Sequence, residues 1–385
     1  MPIRSILDWL IGGASGARTS PEVLLALCDR LRVAGVPLDR VEAFVRTLHP
    51  HVVGRRFVYR PGEGVSVVET SYAYLTTPEF RASPVARVFA DGTFERRRLD
   101  PSTSEAERGY LAPLMAEGLT DFFVCPLSFL SGQQHAITYA TRRPEGFSDA
   151  DLDALRQVTP ALSRIAEILA LARTATNLLD TYVGRGAGAR ILAGKIQRGD
   201  VETIHAVLWF SDLRGFTMLA SELEPNALIR ALNEFFECQV APIAKHGGEV
   251  LKFMGDGLLA IFPIGAASAA ASAEAALEAA DEANVALSEL NVRRNASGDR
   301  ELHFGLALHV GEIAYGNIGG AGRLDFTAIG PAVNLAARLE SLASKLGEDV
   351  VLSADFRALI TRPVRRLGEF ELKGVSGMQE AFAVG

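Results

Sequence analysis

The sequence GGEVLKFMGDGLLAIFP, residues 247–263, decides the fold of the C-terminal half of this chain. Two apolar runs flank the turn sequence GDG, and this combination predicts two antiparallel strands joined by a tight turn. Before it, the apolar run AVLWFSD at 206–212 predicts a buried strand, and the helical pattern at 225–248 ends at a glycine pair. The region therefore predicts an α/β domain with an antiparallel hairpin in its sheet.

The same alternation continues towards the C-terminus. An alanine-rich stretch from Ala266 to about Leu290 predicts a helix, and LHFGLALHVGEIAYGNIG at 302–319 has strand character. The segment PAVNLAARLESLASKLG at 331–347 predicts a helix with a proline at its start. These elements predict a C-terminal domain at 202–385.

The N-terminal region, residues 1–147, predicts an α+β domain of the sensor or dimerisation type. The runs RRFVYR, VSVVETS and DFFVCPLSFL predict strands, and PEVLLALCDRLRVAG predicts a helix that ends at Gly35. Apolar residues near the start predict an amphipathic helix, packed on its own domain or on a dimer partner, with a membrane-surface or export signal as the alternative. These residues are Ile3, Ile6, Leu7, Leu10 and Ile11.

A long helical pattern from Ser148 to about Tyr182 separates the two regions. Its apolar residues alternate at steps of three and four, which predicts either the seam of a parallel coiled coil or one helix on a domain surface. Pro160 predicts a kink or break, and the Gly- and Arg-rich sequence after Tyr182 predicts a connector, so 148–201 is interpreted as a helical linker. The seam consists of Leu155, Val158, Leu162, Ile165, Leu169, Ala172, Thr176 and Leu179.

Length and composition indicate two globular domains and exclude several classes of protein. The chain has 385 residues, 48% of them hydrophobic, and a formal net charge of −7, which gives no basic footprint for nucleic acid. Its three cysteines form no CxxC or Cys/His cluster, so neither a zinc site nor a disulfide framework is indicated. No uncharged apolar run reaches the length of a membrane span. We therefore expect a cytoplasmic protein without a membrane span.

Two aspartates stand at predicted strand ends. Asp212 follows the buried strand and Asp256 lies at the tip of the hairpin, so they meet if the two strands are neighbours. Carboxylate oxygens suit Mg²⁺, which phosphoryl chemistry on a nucleotide usually requires. Gly215 permits a turn that exposes backbone N–H groups to a triphosphate. An aspartate in a turn is more often a local cap, so the pair alone leaves both interpretations open.

Three segments, taken in their order along the chain, carry a family resemblance: FSDLRGFT at 210–217, GGEVLKFMGDGLLAIF at 247–262 and DFTAIGPAVNLAARLES at 325–341. Together they resemble the catalytic domain of class III nucleotidyl cyclases, over about residues 202–385. The resemblance implies a ferredoxin-like fold for this domain within a two-domain α/β (α+β) protein. In that family two protomers pair head to tail, and each shared site takes metal ligands from one subunit and nucleotide-binding residues from the other.

The resemblance also implies the reaction and its metal site. ATP would be converted to cyclic AMP and pyrophosphate by attack of the ribose 3′-oxygen on the α-phosphorus. Asp212, Asp256 and the Leu213 carbonyl would hold two Mg²⁺ or Mn²⁺ ions. The triphosphate would lie against Gly215, Phe216 and Thr217.

The substrate residues implied by the resemblance begin with Lys252, which matches the lysine that reads adenine, where a glutamate would indicate guanine. Thr327 stands where many adenylate cyclases carry an aspartate. A threonine there is typical of the subgroup similar to bicarbonate-responsive soluble cyclases, so bicarbonate becomes a candidate regulator. The threonine hydroxyl both donates and accepts hydrogen bonds, so it can still contact the adenine edge. Asn334 would position the ribose, and Arg338, on the same helix face, would stabilise phosphate charge. Lys373 in FELKGVSG resembles the C-terminal triphosphate lysine.

The segment at 121–162 resembles the last strands and final helix of a GAF domain, a sensor of small molecules; a module that only dimerises is the alternative. His49 and His51, on either side of Pro50, are interpreted as a turn rather than as haem or metal ligands. The sequence thus predicts a homodimeric adenylate cyclase regulated by its N-terminal domain through an unidentified small molecule. A guanylate cyclase, or a regulatory module that binds nucleotide without turnover, is the alternative.

Overall fold

The computed structural model describes residues 2–100, 105–265, 268–320 and 322–384. The chain divides into two compact units, Met1–Leu178 and Leu179–Gly385, and each unit has its own sheet and its own hydrophobic cores. The domain limits predicted at residues 147 and 201 stay predictions.

The first unit contains a six-stranded antiparallel sheet with helices on both faces. Its strands are β1 (Arg40–Arg46), β2 (Gly54–Arg60), β3 (Gly64–Thr70), β4 (Glu95–Arg98), β5 (Asp121–Ser128) and β6 (Gln134–Thr141). They pair in the order β3-β2-β1-β6-β5-β4. Its helices are α1 (Pro2–Ile11), α2 (Ser20–Val33), α3 (Pro78–Arg81), α4 (Pro84–Asp91), α5 (Glu105–Ala116) and α6 (Asp149–Val183), with a 3-10 turn at Tyr72–Thr76.

The two faces of this sheet carry separate cores because side chains alternate along each strand. On β5, Phe123 and Cys125 belong to the core shared with α1, α2 and α6, whereas Phe122 and Val124 belong to the core shared with α3, α4 and α5. The helix predicted near the start packs on its own unit, since Ile6 is buried there.

Helix α6 buries the first half of the predicted heptad seam inside its own unit. Leu155, Val158 and Leu162 belong to the core with α1 and α2, and Ile165 and Leu169 pack against that core. The coiled-coil interpretation is therefore wrong for these residues, because a core-facing helix and a coil share the same periodicity over a few turns. The helix also continues through Pro160, where a kink or break was predicted.

A second apolar stripe on α6 remains exposed. Ile168 is 63% exposed, Leu171 is 62% exposed and Leu178 is 37% exposed, and Ala175 is exposed between them. These residues follow one another at steps of three and four, and the helical rotation of about 100° per residue places them opposite the buried face. This stripe, Ile168–Leu171–Ala175–Leu178, is called the outer stripe below.

The second unit contains an eight-stranded sheet. Its strands are β7 (Val201–Leu213), β8 (Glu249–Met254), β9 (Gly257–Pro263), β10 (Phe304–Gly320), β11 (Arg323–Ile329), β12 (Val350–Ser353), β13 (Val364–Glu371) and β14 (Met378–Val384). Its helices are α7 (Arg185–Leu192), α8 (Phe216–Glu222), α9 (Pro225–Lys245), α10 (Ala269–Ser297), α11 (Pro331–Leu346) and α12 (Ala354–Arg357). The predicted start of the alanine-rich helix, Ala266, lies outside the described residues.

The strand order is β13-β14-β12-β10-β7-β9-β8, with β11 paired to β10. In chain order β7, α9, β8, β9, α10 and β10 form a βαββαβ unit whose strands lie in the order β10-β7-β9-β8, the ferredoxin-like arrangement. Trp209 of β7 packs with α9 and α10 on one face, and Leu208 packs with α11 on the other. The predicted ferredoxin-like domain agrees with this structure.

The segment after α6 departs from the prediction of a connector. Residues 185–192 form α7, whose Ala187 is buried in the second unit. The Gly186 N–H donates to Glu249 Oε1 at 2.7 Å, and a β-carbon at this glycine would lie only 2.4 Å from Glu249 Oε2. Glycine here serves close packing rather than flexibility. Over the described ranges, no helix combines the length and the hydrophobicity that crossing a bilayer requires.

Candidate active site

The candidate site begins at the end of the central strand β7. Asp212 pairs with Gly257 of β9 on one side and with Gly305 of β10 on the other. Neither neighbour carries a side chain, and a β-carbon at Gly257 would lie 3.5 Å from Asp212 Oδ1. The closest atom to such a β-carbon is the Ser211 carbonyl oxygen at 3.2 Å, so β7 and β9 approach each other closely beside Asp212.

The hairpin turn brings the second aspartate to the same place. Met254 pairs with Gly257, so Gly255 and Asp256 form the turn, and Gly255 has a φ of +71° that favours glycine. The Leu213 N–H donates to the Asp256 carbonyl oxygen at 3.3 Å and to Asp212 Oδ1 at 3.1 Å. The two aspartates predicted from the sequence thus lie side by side.

The electrostatics of this pair are unfavourable without a cation. Burial raises the pKa of Asp212 to about 7, and hydrogen bonding to Asp256, the charge of Asp256 and the charge of Glu340 add to this rise. Burial also raises the pKa of Glu340, against the influence of Arg214. Carboxylates held together in this way favour a proton or a metal ion between them.

Two residues close to Asp212, Glu340 and Arg214, were not among the site residues predicted from the sequence. Glu340 of α11 is 7% exposed, and its Oε1 and the Arg214 guanidinium both lie against Gly305, next to Asp212. Arg214 is held by the carbonyl oxygens of Phe304 and Glu348. Nothing in the spacing of these residues signals their proximity, because it results from the packing of α11 on β10 and β7.

A metal would have to complete its coordination from outside this pair. Among residues that the structure describes, no group of three or more His, Cys, Asp or Glu side chains is arranged to hold an ion. Two carboxylates nevertheless suit Mg²⁺, which is often held by one or two carboxylates together with substrate phosphates.

In the first unit, His49 and His51 form a turn contact, with the His51 N–H donating to His49 Nδ1 at 3.2 Å.

The predicted phosphate cradle follows directly on β7. Gly215, with a φ of +70°, precedes α8, and the Met218 and Leu219 N–H groups donate to its carbonyl oxygen. Phe216 is half-buried and Thr217 is exposed. The backbone therefore turns sharply within three residues of Asp212.

Lys252 lies on β8 in a second cluster, and its Nζ donates to Asp325 Oδ2 of β11. Thr327 stands two residues further along β11, opposite Gly316. Asp325 was not singled out in the sequence, although it begins one of the three quoted segments. The carboxylate of Asp325 therefore lies beside Lys252, the lysine expected to read the base. It stands two residues before Thr327, the position where many adenylate cyclases carry an aspartate.

The third group is on α11 and near the C-terminus. Asn334 and Arg338 are both exposed, one helical turn apart, and Lys373 is exposed after β13. Within the described ranges, no hydrogen bond or ion pair joins Asn334 or Arg338 to the two aspartates. The structure thus brings Asp212 and Asp256 together and leaves the α11 residues facing outward.

Comparison with known proteins identifies this unit. Residues 201–384 match the family described as the adenylate and guanylate cyclase catalytic domain. These residues form a cyclase catalytic domain. An adenylate cyclase of Anabaena cylindrica is 29% identical over 193 residues, covering 49% of this chain and 38% of the relative. Adenylate cyclase 1 of Rhizobium meliloti is 30% identical over 179 residues, covering 46% of this chain and 26% of the relative.

A solved structure is also similar to the cyclase domain. The adenylyl cyclase CyaB from P. aeruginosa is 32% identical, with a TM-score of 0.44, over 48% of this chain and 95% of that one. The chain matches less than two fifths of the length of the two curated relatives. The cyclase family generally uses divalent metals, which agrees with the paired carboxylates.

The raised pKa of Asp212 generates a prediction for the cyclase domain without metal. Above the ordinary carboxyl pKa of about 4, the unfolded chain releases this proton while the folded chain keeps it until about pH 7. Stability is therefore lost as the pH rises through this window. Asp212→Asn should raise the free energy of unfolding in EDTA by about 1–3 kcal/mol at about pH 8, discounted for partial exposure.

The measurement is urea unfolding of both chains in EDTA at about pH 8 and about pH 5. At about pH 5 Asp212 is protonated in the folded chain and mostly ionised in the unfolded chain, so the difference between the two stabilities should be smaller than at about pH 8. Asp299→Asn, an exposed aspartate without a side-chain partner among the described residues, is the control and should change little. If wild type and Asp212→Asn had equal free energies of unfolding at about pH 8, the raised pKa of Asp212 would be contradicted.

Proposed function

We propose that this protein is an adenylate cyclase that converts ATP to cyclic AMP and pyrophosphate. The observation that carries the proposal is the pair Asp212 and Asp256, brought together at the end of β7 inside a cyclase catalytic domain. Adenine rather than guanine is favoured because Lys252 offers a donor at the position that reads the base. The similarity to two adenylate cyclases supports the same choice.

The paired carboxylates would hold Mg²⁺ or Mn²⁺, two ions per site, with the Leu213 carbonyl as a further ligand. When bound, such ions neutralise charge on the phosphates and make the ribose 3′-oxygen a better nucleophile. The chain itself fixes the geometry. Asp212 is held in register by two strands, and the turn at Gly215 lets the backbone of Phe216 and Thr217 approach the triphosphate.

On the nucleotide side, Lys252 and Thr327 would read the adenine edge. Asp325 accepts a hydrogen bond from Lys252 and so fixes the position of its ammonium group. Asn334 would orient the ribose, and the Arg338 guanidinium would meet negative charge on the phosphates, with Lys373 as a further triphosphate contact. Because residue 327 is a threonine, we also propose that the protein belongs to the bicarbonate-responsive subgroup and that bicarbonate activates it.

The complete site would form between two copies of the chain. Exposed apolar side chains stand around the nucleotide cluster: Phe253 is 51% exposed, Leu324 is 41% exposed and Ile329 is 49% exposed. Apolar residues exposed beside functional ones favour an interface. A partner docked there would bring its own aspartates towards these residues. The outer stripe of α6 offers a second contact of coiled-coil spacing.

The first unit would regulate this activity as a GAF-like sensor. Its sheet, with helices on both faces, has the mixed architecture that the sequence predicted. A guanylate cyclase is disfavoured by Lys252, and a domain that only binds nucleotide is disfavoured by the presence of both aspartates.

Loss of either carboxylate should abolish the metal-dependent reaction. Asp212→Ala and Asp256→Ala are each expected to lower cyclic AMP formation by about a hundredfold or more, since several kcal/mol of charge stabilisation depend on the bound cations. Turnover is measured with ATP over a Mn²⁺ titration. Asp299→Ala is the matched control and should keep wild-type activity.

The same variants have a readout independent of activity. Mn²⁺ should raise the unfolding temperature of the wild type and of Asp299→Ala, but not that of Asp212→Ala, because only binding to the folded site stabilises it. Full activity of either aspartate variant would refute the metal assignment.

Substitution of the base-reading lysine should affect substrate choice more than stability. Lys252→Glu replaces a donor by an acceptor at the adenine edge and places one further carboxylate beside that of Asp325, so kcat/KM for ATP should fall by about a hundredfold. Lys345→Glu, with the same charge change at an exposed site, is the control. ATP and GTP are compared in one competition assay. An unchanged preference for ATP would remove Lys252 from this role.

Shared sites predict complementation between two inactive chains. An Asp256→Ala chain mixed with an Asn334→Ala chain should regain activity, since a heterodimer has one site with both lesions and one site with neither. With free exchange about half of the dimers are heterodimers with one intact site, so recovery should approach about a quarter of wild type. Heterodimers isolated with two affinity tags and found inactive would refute the shared site.

A further inference from the structure

The first unit contains a groove that the cyclase reaction does not use. It runs between α6 on one side and the start of α2 and the strands β1, β2 and β3 on the other. Its volume is about 470 Å³. This is within the range of sites that enclose small organic ligands.

The floor of the groove is apolar. Phe57 of β2 is buried there, Val45 and Leu169 are partly buried beside it, and Val67, which also lines the groove, is 47% exposed. On α6 the floor continues over small side chains such as Ala166, so the helix does not fill the space above the sheet. A smaller apolar pit of about 30 Å³ opens beneath the same residues, towards Leu24, Ile137 and Leu162.

The rim of the groove is basic. Four arginines stand around it, one just before α2 and the others on β1, β2 and α6: Arg18, Arg46, Arg55 and Arg173. Arg55 is paired with Glu69 at 2.6 Å, but the side chains of the other three make no ion pair within the part of the chain that the structure describes. The residues that line the groove include no aspartate or glutamate. This concentration of positive charge occurs in a chain with a net charge of −7.

The backbone at the start of α2 does not account for this charge pattern. The Glu22 N–H of α2 donates to Thr19 Oγ1 at 3.4 Å, and Glu22 Oε2 accepts from the Arg18 N–H at 2.6 Å and from the Thr19 N–H at 3.1 Å, so these backbone groups already have partners. The anion-attracting groups of the groove are therefore the arginine side chains themselves, which can approach a carboxylate from several directions.

We infer that this groove binds a small amphiphilic carboxylate, with its apolar body on the floor around Phe57 and Leu169 and its carboxylate among Arg18, Arg46 and Arg173. Burial of apolar surface supplies the affinity, and the unpaired guanidinium groups select an anion over a neutral molecule. The groove face of α6 is opposite the outer stripe, so a partner on that stripe leaves the groove open. The inference is tested by binding alone and stands independently of cyclase activity.

The test is isothermal titration calorimetry of the full chain with octanoate, 1-octanol and acetate, below the concentration at which octanoate forms micelles. Octanoate has both the apolar body and the charge, whereas each of the other two probes has one of them. We expect saturable one-to-one binding of octanoate and affinities for the other probes at least about tenfold weaker. Absence of saturable octanoate binding, or equal affinity for 1-octanol, would overturn the inference.

Variants locate the site. The double variant Arg46→Glu/Arg173→Glu should weaken octanoate binding by about tenfold or more, whereas Arg81→Glu, an exposed arginine on α3, should change it less than about twofold. Ala172→Trp, which fills the groove from its exposed side, should abolish binding, and Ala150→Trp at the exposed start of α6 should not.

Circular dichroism and the unfolding temperature verify that each variant is folded, and these surface changes leave the cores intact. An equal loss in Arg81→Glu would indicate non-specific attraction of anions, and unchanged binding in Ala172→Trp would place the ligand elsewhere. Either result would refute the groove as the site.

Discussion

The candidate site of the second unit is organised around one unfavourable interaction, the repulsion between the half-buried carboxylates of Asp212 and Asp256 at the end of β7. Burial and the neighbouring charge together raise the pKa of Asp212 to about 7. The packing of α9, α10 and α11 on the two faces of the sheet offsets this electrostatic cost. What relieves it is positive charge from outside the chain, which makes the pair a site for cations and for the phosphates they accompany.

The nucleotide residues have a different organisation. Lys252 is already engaged by Asp325, so its ammonium group has a fixed position before any base arrives. Asn334 and Arg338, in contrast, are exposed on α11 and have no partner among the described residues. One half of the proposed site is thus preorganised, and the other half is open to a second chain.

Much of the second unit could be predicted because its signals are local. The hairpin through Gly255 and Asp256 follows from turn chemistry, and the long helices follow from periodicity and glycine ends. Glu340 and Arg214 could not be found in this way, since their proximity to Asp212 arises only when α11 packs on the sheet. The seam on α6 left a coiled coil and a helix on its own domain both open, because a heptad pattern does not reveal whether its apolar face meets another chain or the helix's own domain.

The glycines on either side of Asp212 have an evolutionary consequence. Gly257 and Gly305 contribute no functional group, yet a β-carbon at Gly305 would lie 2.8 Å from Glu340 Oε1, and one at Gly257 would lie 3.2 Å from the Ser211 carbonyl oxygen, directly before Asp212. A single added methyl group could therefore displace the surroundings of Asp212 while both aspartates stay in the sequence. The acidic residues alone would not reveal such a change, because it acts through the spacing between strands and α11 rather than through a charged group.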